Sequence, residues 1–444
     1  MKKHVLFISL LTLALSLTSC GTGGNKTLDP KPIDEELLGC YNYFMDATNF
    51  SDGSKGYGLS CDRLSNRTTS SIAATGFLLA SYPVFVEQGY MSKDDAKNRA
   101  SKTLDTILTI QADEETSYAG CISHFVNRSN GKRSGNSEVS TIDTAILVSG
   151  AITAGEYFLD EVKNKAETVW GNVNYNRFIT TVNGKEYISM GINNFETKAQ
   201  LSPWDYYAEQ LMIYIIGAGN PNKENRISSK FYKSITKNKG SYDGISHVYS
   251  WFGSLFTYQF SHAFFNFKKY NDYKGINYFD NSVNASLTAY SYSQSLAKTY
   301  KSFSKDSWGL TACDTPLGYS GELGTPPRGF AGNSTDYIRI QGTIAPTAAI
   351  SSMPFTPEKS YNALKYFQSL ETLNDPKYGL RDSFNLDFNG SEWYDPDYIG
   401  IDKGIEVLQL YNYKNTDFIS NLAMNNSYVI EGFVNNEFVE VNNG

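Results

Sequence analysis

The sequence predicts an all-α protein, an (α/α)6 toroid or six-hairpin barrel with a small β-hairpin insertion. Apolar residues recur at three- and four-residue spacing along most of the chain, which gives about a dozen helical segments. Short connections between successive segments favour antiparallel helical hairpins, and long glycine- and proline-rich stretches are expected to gather at one end. Weak repetition at hairpin scale fits an open superhelix as well as a ring, so periodicity by itself does not close the toroid.

Lys2 and Lys3 precede an apolar run from 5 to 17 that is too short to span a membrane and reads as a secretory leader. Leu17-Thr18-Ser19-Cys20-Gly21 resembles the bacterial lipobox. Residues 1–19 are therefore expected to be a signal peptide and Cys20 the lipidated start of the mature chain, with an ordinary cleaved leader as the alternative. Residues 20–32, rich in Gly, Thr and Pro, would form a flexible tether. With no internal linker, 33–444 reads as a single domain, exported and held at the outer membrane, the cell surface or the periplasmic face.

Within that domain, helical spacing covers 34–46, 70–88, 93–111, 139–169 with a break near Phe158, 203–216, 252–267, 282–300, 347–352, 358–373 and 404–413. Residues 178–192 alternate around Asn183-Gly184, the strongest two-residue hairpin signal. The irregular stretch 308–342 is long enough to expect a functional role, and we read it as a cleft wall.

Composition narrows the chemistry. A net charge of −7, with no Lys/Arg block, argues against nucleic acid as a partner. Aromatic residues make up 14% of the chain, including 32 Tyr, and aromatic faces stack on sugar rings. Beyond Cys20, the residues Cys40, Cys61, Cys121 and Cys313 are expected to be buried thiols with at most one bridge. Four His without metal-ligand spacing give no zinc site, so no metal is expected. A monomer is expected.

Two stretches can carry chemistry. In the first, Glu138 stands just outside a helix capped by Ser140 or Thr141, and Asp143 lies inside it, followed by no charge until Glu156. Both acids can simply favour the positive helix end, or they can form the carboxylate pair that glycoside cleavage requires. In the second, Ser202 and Pro203 look like a helix start that Asp205 caps. Glu209 then falls where the buried core begins, either turned to solvent or desolvated with a raised pKa suited to a general acid. Other candidates are Asp62 with Arg63, His124, Tyr258, His262, Asp314 and Asp402.

At these residues the chain resembles the glycoamylase-like family of bacterial glycosidases, which includes glycoside hydrolase family 144 acting on β-1,2-glucan. The resemblance runs in order through GLSCDR and SSIAATGF (58–77), HFVNRSNGKR (124–133), NSEVSTIDTA (136–145), WDYYAEQLMIYIIGAG (204–219), LFTYQFSHAFFNF (255–267), YFDNSVNA (278–285), WGLTACDTPLGY (308–319), GTIAPTAAISSMPF (342–355) and GIDKG (400–404). It implies an (α/α)6 fold, hydrolysis of β-linked glucan and no cofactor. Glu138, Asp143 and Glu209 would be catalytic, and Asp62, Arg63, His124, Trp204, Tyr258, Gln259, His262 and Asp402 would line sugar subsites.

The chain departs from the family pattern in three places: Gln341 stands in place of an Asp, His262-Ala263-Phe264-Phe265-Asn266-Phe267 where His-Ala-Trp-x-Asp-Phe is usual, and Tyr411 in place of an acid. They bear on substrate length or linkage. The competing readings are a non-catalytic glycan-binding surface lipoprotein, a hydrolase of another glucan linkage, and a polysaccharide lyase, which the acidic charge disfavours.

Overall fold

The computed structural model describes residues 28–327 and 342–441. The leader, Cys20, most of the tether and Gln341 lie outside the described residues. The domain begins slightly earlier than the tether assignment allowed, because the first helix starts at Lys31 and Gln368 Nε2 donates to the Pro32 carbonyl at 2.8 Å.

The described residues form α1 Lys31–Ala47, α2 Ile72–Glu87, α3 Lys93–Gln111, α4 Thr141–Phe158, α5 Asp160–Gly171, α6 Leu211–Ala218 and α7 Lys230–Ser234. The second half adds α8 Phe256–Phe264, α9 Tyr278–Leu296, α10 Pro346–Ile350, α11 Pro357–Gln368, α12 Gly400–Lys414, α13 Phe418–Ala423 and α14 Ser427–Asn435. The fold is mostly helical. The α6 helix is buried on every face, and α2, α4 and α12 nearly so, as suits inner helices wrapped by others. Around them α3 buries a stripe at Ala96, Ala100, Leu104 and Ile107, and α1, α5 and α11 follow the same pattern.

Helices α2 and α4 pack backbone against backbone. A Cβ added to Gly150 would lie 1.9 Å from the Gly76 carbonyl oxygen, and one added to Gly76 would lie 2.5 Å from Leu147 Cα. Only two glycines allow the backbones to meet there. Short antiparallel ladders then lead into both helices. Thr69–Ser71 pairs with Phe125–Asn127 just before α2, and Val139–Ser140 pairs with Gly191–Ile192 just before α4. Ser71 and Ser140 cap the two helices by accepting from Ala74 N and Asp143 N.

The Asn-Gly hairpin forms as expected, with Ile179–Val182 against Lys185–Ile188 and positive φ at Asn183 and Gly184. The four cysteines are free and buried. One expectation fails: the helix predicted over 203–216 starts at Leu211. Residues 202–207 are instead held as extended chain, because Met190 N donates to Ser202 O, Trp204 N to Ile188 O, Tyr207 N to Thr236 O and Thr236 N to Asp205 O. Pairing with neighbouring segments overrides the local capping pattern, so Ser202 and Asp205 cap no helix. The 308–342 stretch also contains a hairpin, Cys313–Thr315 with Gly318–Ser320.

Gly150→Ala forces a methyl against backbone that cannot swing aside. The expected cost is about 3 kcal/mol or more, the upper range for overpacking, read as a lowered midpoint in urea unfolding. Gly184→Ala, at a turn with open space around it, should cost less by the same measurement.

Candidate active site

Four inner helix starts converge at one end of the molecule. Ile72 N, at the start of α2, donates to His124 O, and His124 N donates to Glu138 O at 2.8 Å, just before α4. Gly400 N, at the start of α12, donates to Asp62 O at 2.7 Å. Trp204 Nε1 donates to Thr141 Oγ1 at the first residue of α4, at 3.1 Å, and Glu209 sits two residues before α6. Helix N-termini carry partial positive charge and unpaired N–H groups, so acids are stabilised here.

His124 joins two of those acids. Its Nδ1 lies 2.9 Å from Glu138 Oε1 and its Nε2 3.5 Å from Asp143 Oδ1. Burial by itself would lower the imidazole pKa, but Asp143, Glu138 and Asp62 together outweigh it and raise the pKa to about 9. The ring is therefore a cation at neutral pH. In return the hydrogen bond from His124 holds Glu138 below the usual carboxylate range. Asp143 accepts from its own cap, Ser140 Oγ, at 2.5 Å. Asp62 is pushed up by burial against the opposing pull of Arg63 and His124.

Glu209 is the opposite case. It is 9% exposed, and its pKa is raised to about 7, first by burial and then by the Asp143 charge, with its own backbone N–H opposing. Among the described residues no side chain is bonded to its carboxylate. The backbone is anchored instead, since Ser261 Oγ donates to Glu209 O at 2.7 Å and Met212 N to Ser261 Oγ at 3.1 Å. Glu209 faces a cavity of about 530 Å³ whose walls are largely aromatic: Trp204, Tyr206, Tyr207, Trp251, Phe252 and Phe256. Tyr206 and Trp251 meet edge to face with centroids 4.8 Å apart. Gly321 completes the wall, so the 308–342 stretch does border the cleft. Glu138, Asp143 and His124 are not among the residues that line this cavity, and the Asp143 charge acts on Glu209.

The structure thus brings together Glu138, Asp143, Glu209, His124, Asp62, Arg63 and Trp204. Arg63 pairs most closely with Asp314, at 2.8 Å, and more loosely with Asp62, at 3.5 Å. Three expected subsite residues are elsewhere. Tyr258 is in the core with its hydroxyl accepting from Ser250 N, and Gln259 Nε2 donates to Ala348 O and Ser352 Oγ. His262 is bonded to Ser282 Oγ among Phe267, Phe279 and Phe355, and burial drives its pKa down to about 3. The reason is depth. On α8 the cleft is met by Phe256 and Thr257, and His262 lies five residues further in, roughly 7.5 Å along the axis.

Asp402 is buried in the first turn of α12 with its pKa pushed up to about 7 by burial. It borders Asp382, an acid that sequence spacing did not single out, as did neither Asp395 nor Asp397. The run Asp395-Pro396-Asp397 just before a helix was the available signal. A second buried group, Glu36, Cys40 and Glu406, is already served by a cation, because Lys403 Nζ lies 2.7 Å from Glu36 and 3.0 Å from Glu406.

Solved structures share this fold. An endo-β-1,2-glucanase from Chitinophaga pinensis, in complex with sophorotriose and glucose, superposes with a TM-score of 0.78 at 23% identity, covering 93% of this chain and 99% of its own. An endo-β-1,2-glucanase from Talaromyces funiculosus, with sophorose, gives 0.65 at 13% identity, covering 91% and 87%. A family model described as "Putative glucoamylase" matches residues 202–427, from the cavity wall to the start of α14, and the chain belongs to that glycoamylase family. It is also 24% identical over 399 residues to an exo-β-1,2-glucooligosaccharide sophorohydrolase (non-reducing end) from Parabacteroides distasonis, covering 81% of this chain. The chain spans about half, 52%, of the length of that curated relative.

Two outcomes follow from the electrostatics. His124, with a folded pKa of about 9 against an ordinary 6.5, should titrate near pH 9 by imidazole NMR and return towards 6.5 in Glu138→Gln. Glu209 holds its proton more tightly folded than unfolded, so it contributes no penalty below about 4.5 and destabilises increasingly as pH rises to about 7. Glu209→Gln should therefore raise Tm relative to wild type by an amount that grows between those pH values and is constant above them.

Proposed function

We propose that this protein is a glycoside hydrolase of β-linked glucan, most specifically β-1,2-glucan or its oligosaccharides, built as an (α/α)6 toroid. One observation carries the reading: a desolvated Glu209 with a pKa of about 7, in an aromatic-walled cleft, faces the field of Asp143 and the His124-bridged Glu138. Two carboxyl groups pushed to opposite protonation states by their surroundings are what acid and base catalysis at one bond requires. Family membership and the β-1,2-glucan specificities named for the relatives support the substrate class. The inner helices, covered by an outer layer, support the closed ring.

In this reading Glu209 donates its proton to the glycosidic oxygen as the bond from that oxygen to the anomeric carbon breaks. Glu138, which the hydrogen bond from His124 holds ionised, or Asp143 on the other side of the ring takes a proton from water, whose oxygen forms the new bond to the anomeric carbon from the opposite face. The anomeric configuration inverts. The aromatic walls would hold the sugar rings by their apolar faces. Asp62 and Arg63, next to the carboxylates, would bind hydroxyls. The leader and lipobox support placement of the enzyme at a membrane surface through a lipid on Cys20, acting as a monomer.

The test is a panel of β-1,2-, β-1,3-, β-1,4- and α-1,4-glucans with anomer-resolved product analysis. Reducing ends should appear from the β-1,2-glucan first, and sugar binding without release on any member would instead mark a binding protein. Glu209→Gln and Asp143→Asn should each lose at least about a hundredfold in kcat with folding intact. Wild-type kcat should decline as pH rises through about 7, where Glu209 gives up its proton.

A further inference from the structure

Beside the cleft, three interlaced segments bring carboxylates to one point. Asp314 comes from the Cys313–Thr315 strand, Asp382 from just before Phe384–Phe388, and Asp395 from just after Ser391–Tyr394. One oxygen from each lies within 4.8 Å of the other two. Backbone bonds lock the segments together: Asp395 N donates to Ser383 O at 3.0 Å, Asp382 N to Asp397 O at 3.3 Å, and Ser383 Oγ to Asp314 O at 2.6 Å.

Each carboxylate is steered by one of its oxygens. Asp314 Oδ2 accepts from Arg63, Asp382 Oδ2 from Asp314 N at 2.8 Å and from Ser383 Oγ, and Asp395 Oδ1 from Asp397 N at 3.2 Å. The other oxygens of the two buried members, Asp382 Oδ1 and Asp395 Oδ2, accept from no N–H or hydroxyl, although these residues are only 3% and 4% exposed; Asp382 meets Asp395 and Asp402 carboxyl to carboxyl. Unpaired buried carboxylate oxygens are costly. Nor is the charge balanced nearby. Among the described residues Arg63 pairs with Asp314, Asp62 and Asp397, while Arg381 donates to the Pro396 carbonyl at 2.6 Å, Asp402 adds another acid, and Lys403 is committed to Glu36 and Glu406.

We propose that Asp314, Asp382 and Asp395 bind one divalent cation, calcium, which clamps the 313–320 hairpin to the 384–394 hairpin and so fixes Asp314 against Arg63. The donors are all hard oxygens, which select calcium or magnesium over softer metals. Oxygens across a calcium shell stand about 4.6–5.2 Å apart, and calcium accepts irregular ligands from loops, whereas magnesium demands a near-ideal octahedron and retains several waters. A site this buried has little room for that water. Outer hydrogen bonds holding each ligand by its second oxygen are the usual support of a metal site.

The experiment uses the full chain stripped with EDTA. Calcium added to it should bind at about one ion per chain by isothermal titration and raise Tm by a few degrees at saturation. Asp395→Asn should abolish both the heat and the shift, and its Tm in EDTA should match or exceed that of stripped wild type. If Asp395→Asn does not fold, the wild-type titration alone decides. Absence of binding and of any Tm shift would mean that the cluster is neutralised by protons shared between carboxyls, and would overturn the site. A shift that persists in Asp395→Asn would overturn the ligand assignment, and a stronger response to magnesium would reject calcium. None of these readouts involves turnover, so they stand or fall apart from the hydrolase reading.

Discussion

The contact between Gly76 and Gly150 sets the rest of the molecule. It lets α2 and α4 lie backbone to backbone, so their starts fall at one level. Ser71 and Ser140 then cap neighbouring helices, and the single strand-like segment around His124 can hydrogen-bond to both, through Ile72 N on one side and Glu138 O on the other. A side chain fixed at two backbone points between two helix ends has few positions available. That is why the His124 ring stands between Glu138 and Asp143 rather than in solvent.

From this arrangement come two carboxyl environments with different physical causes. On the His124 side, charges decide: a cation shared by acids keeps a proton on the ring and off Glu138. At Glu209, desolvation decides, since the aromatic wall removes water and among the described residues no cation pairs with it. The extended 202–207 segment meets the start of α4 through the Trp204 to Thr141 bond, and the Asp143 charge adds to the desolvation at Glu209. Replacing that extended segment by the helix its sequence pattern favours would turn the aromatic wall into helix surface.

Much of this was legible beforehand, and the reasons are local. Ser140 before Asp143 and an apolar run announces a capped inner helix, and Asn183-Gly184 announces a hairpin, because both signals act over a few residues. The buried, raised-pKa Glu209 was legible from the apolar residues that follow it. What was not legible depends on distant partners. Residues 202–207 carry a sound capping pattern, yet their N–H and C=O groups are claimed by 188–190 and 236. Tyr258, Gln259 and His262 carry chemistry-bearing side chains, but the depth of each on α8 is set by how far that helix is sunk among α9, α10 and α12. Asp314, Asp382 and Asp395 come from three segments, and no spacing within one segment betrays their meeting.

The same depth argument sorts the positions at which this chain departs from its family. Phe264 ends α8 and packs against Phe77, and Asn266, two residues beyond, donates from Nδ2 to Asn421 Oδ1 at 2.7 Å. Tyr411 lies at the far end of α12 from Asp402, its ring 5.5 Å from Phe418. None of these residues is among those that line the cavity. If the cleft takes sugars as proposed, the residues that would select among them are those lining the cavity, in 202–209, 251–257 and at Gly321. The 202–207 segment is held by backbone pairing rather than by helix packing, so its sequence can vary without disturbing the glycine contact on which the acids depend.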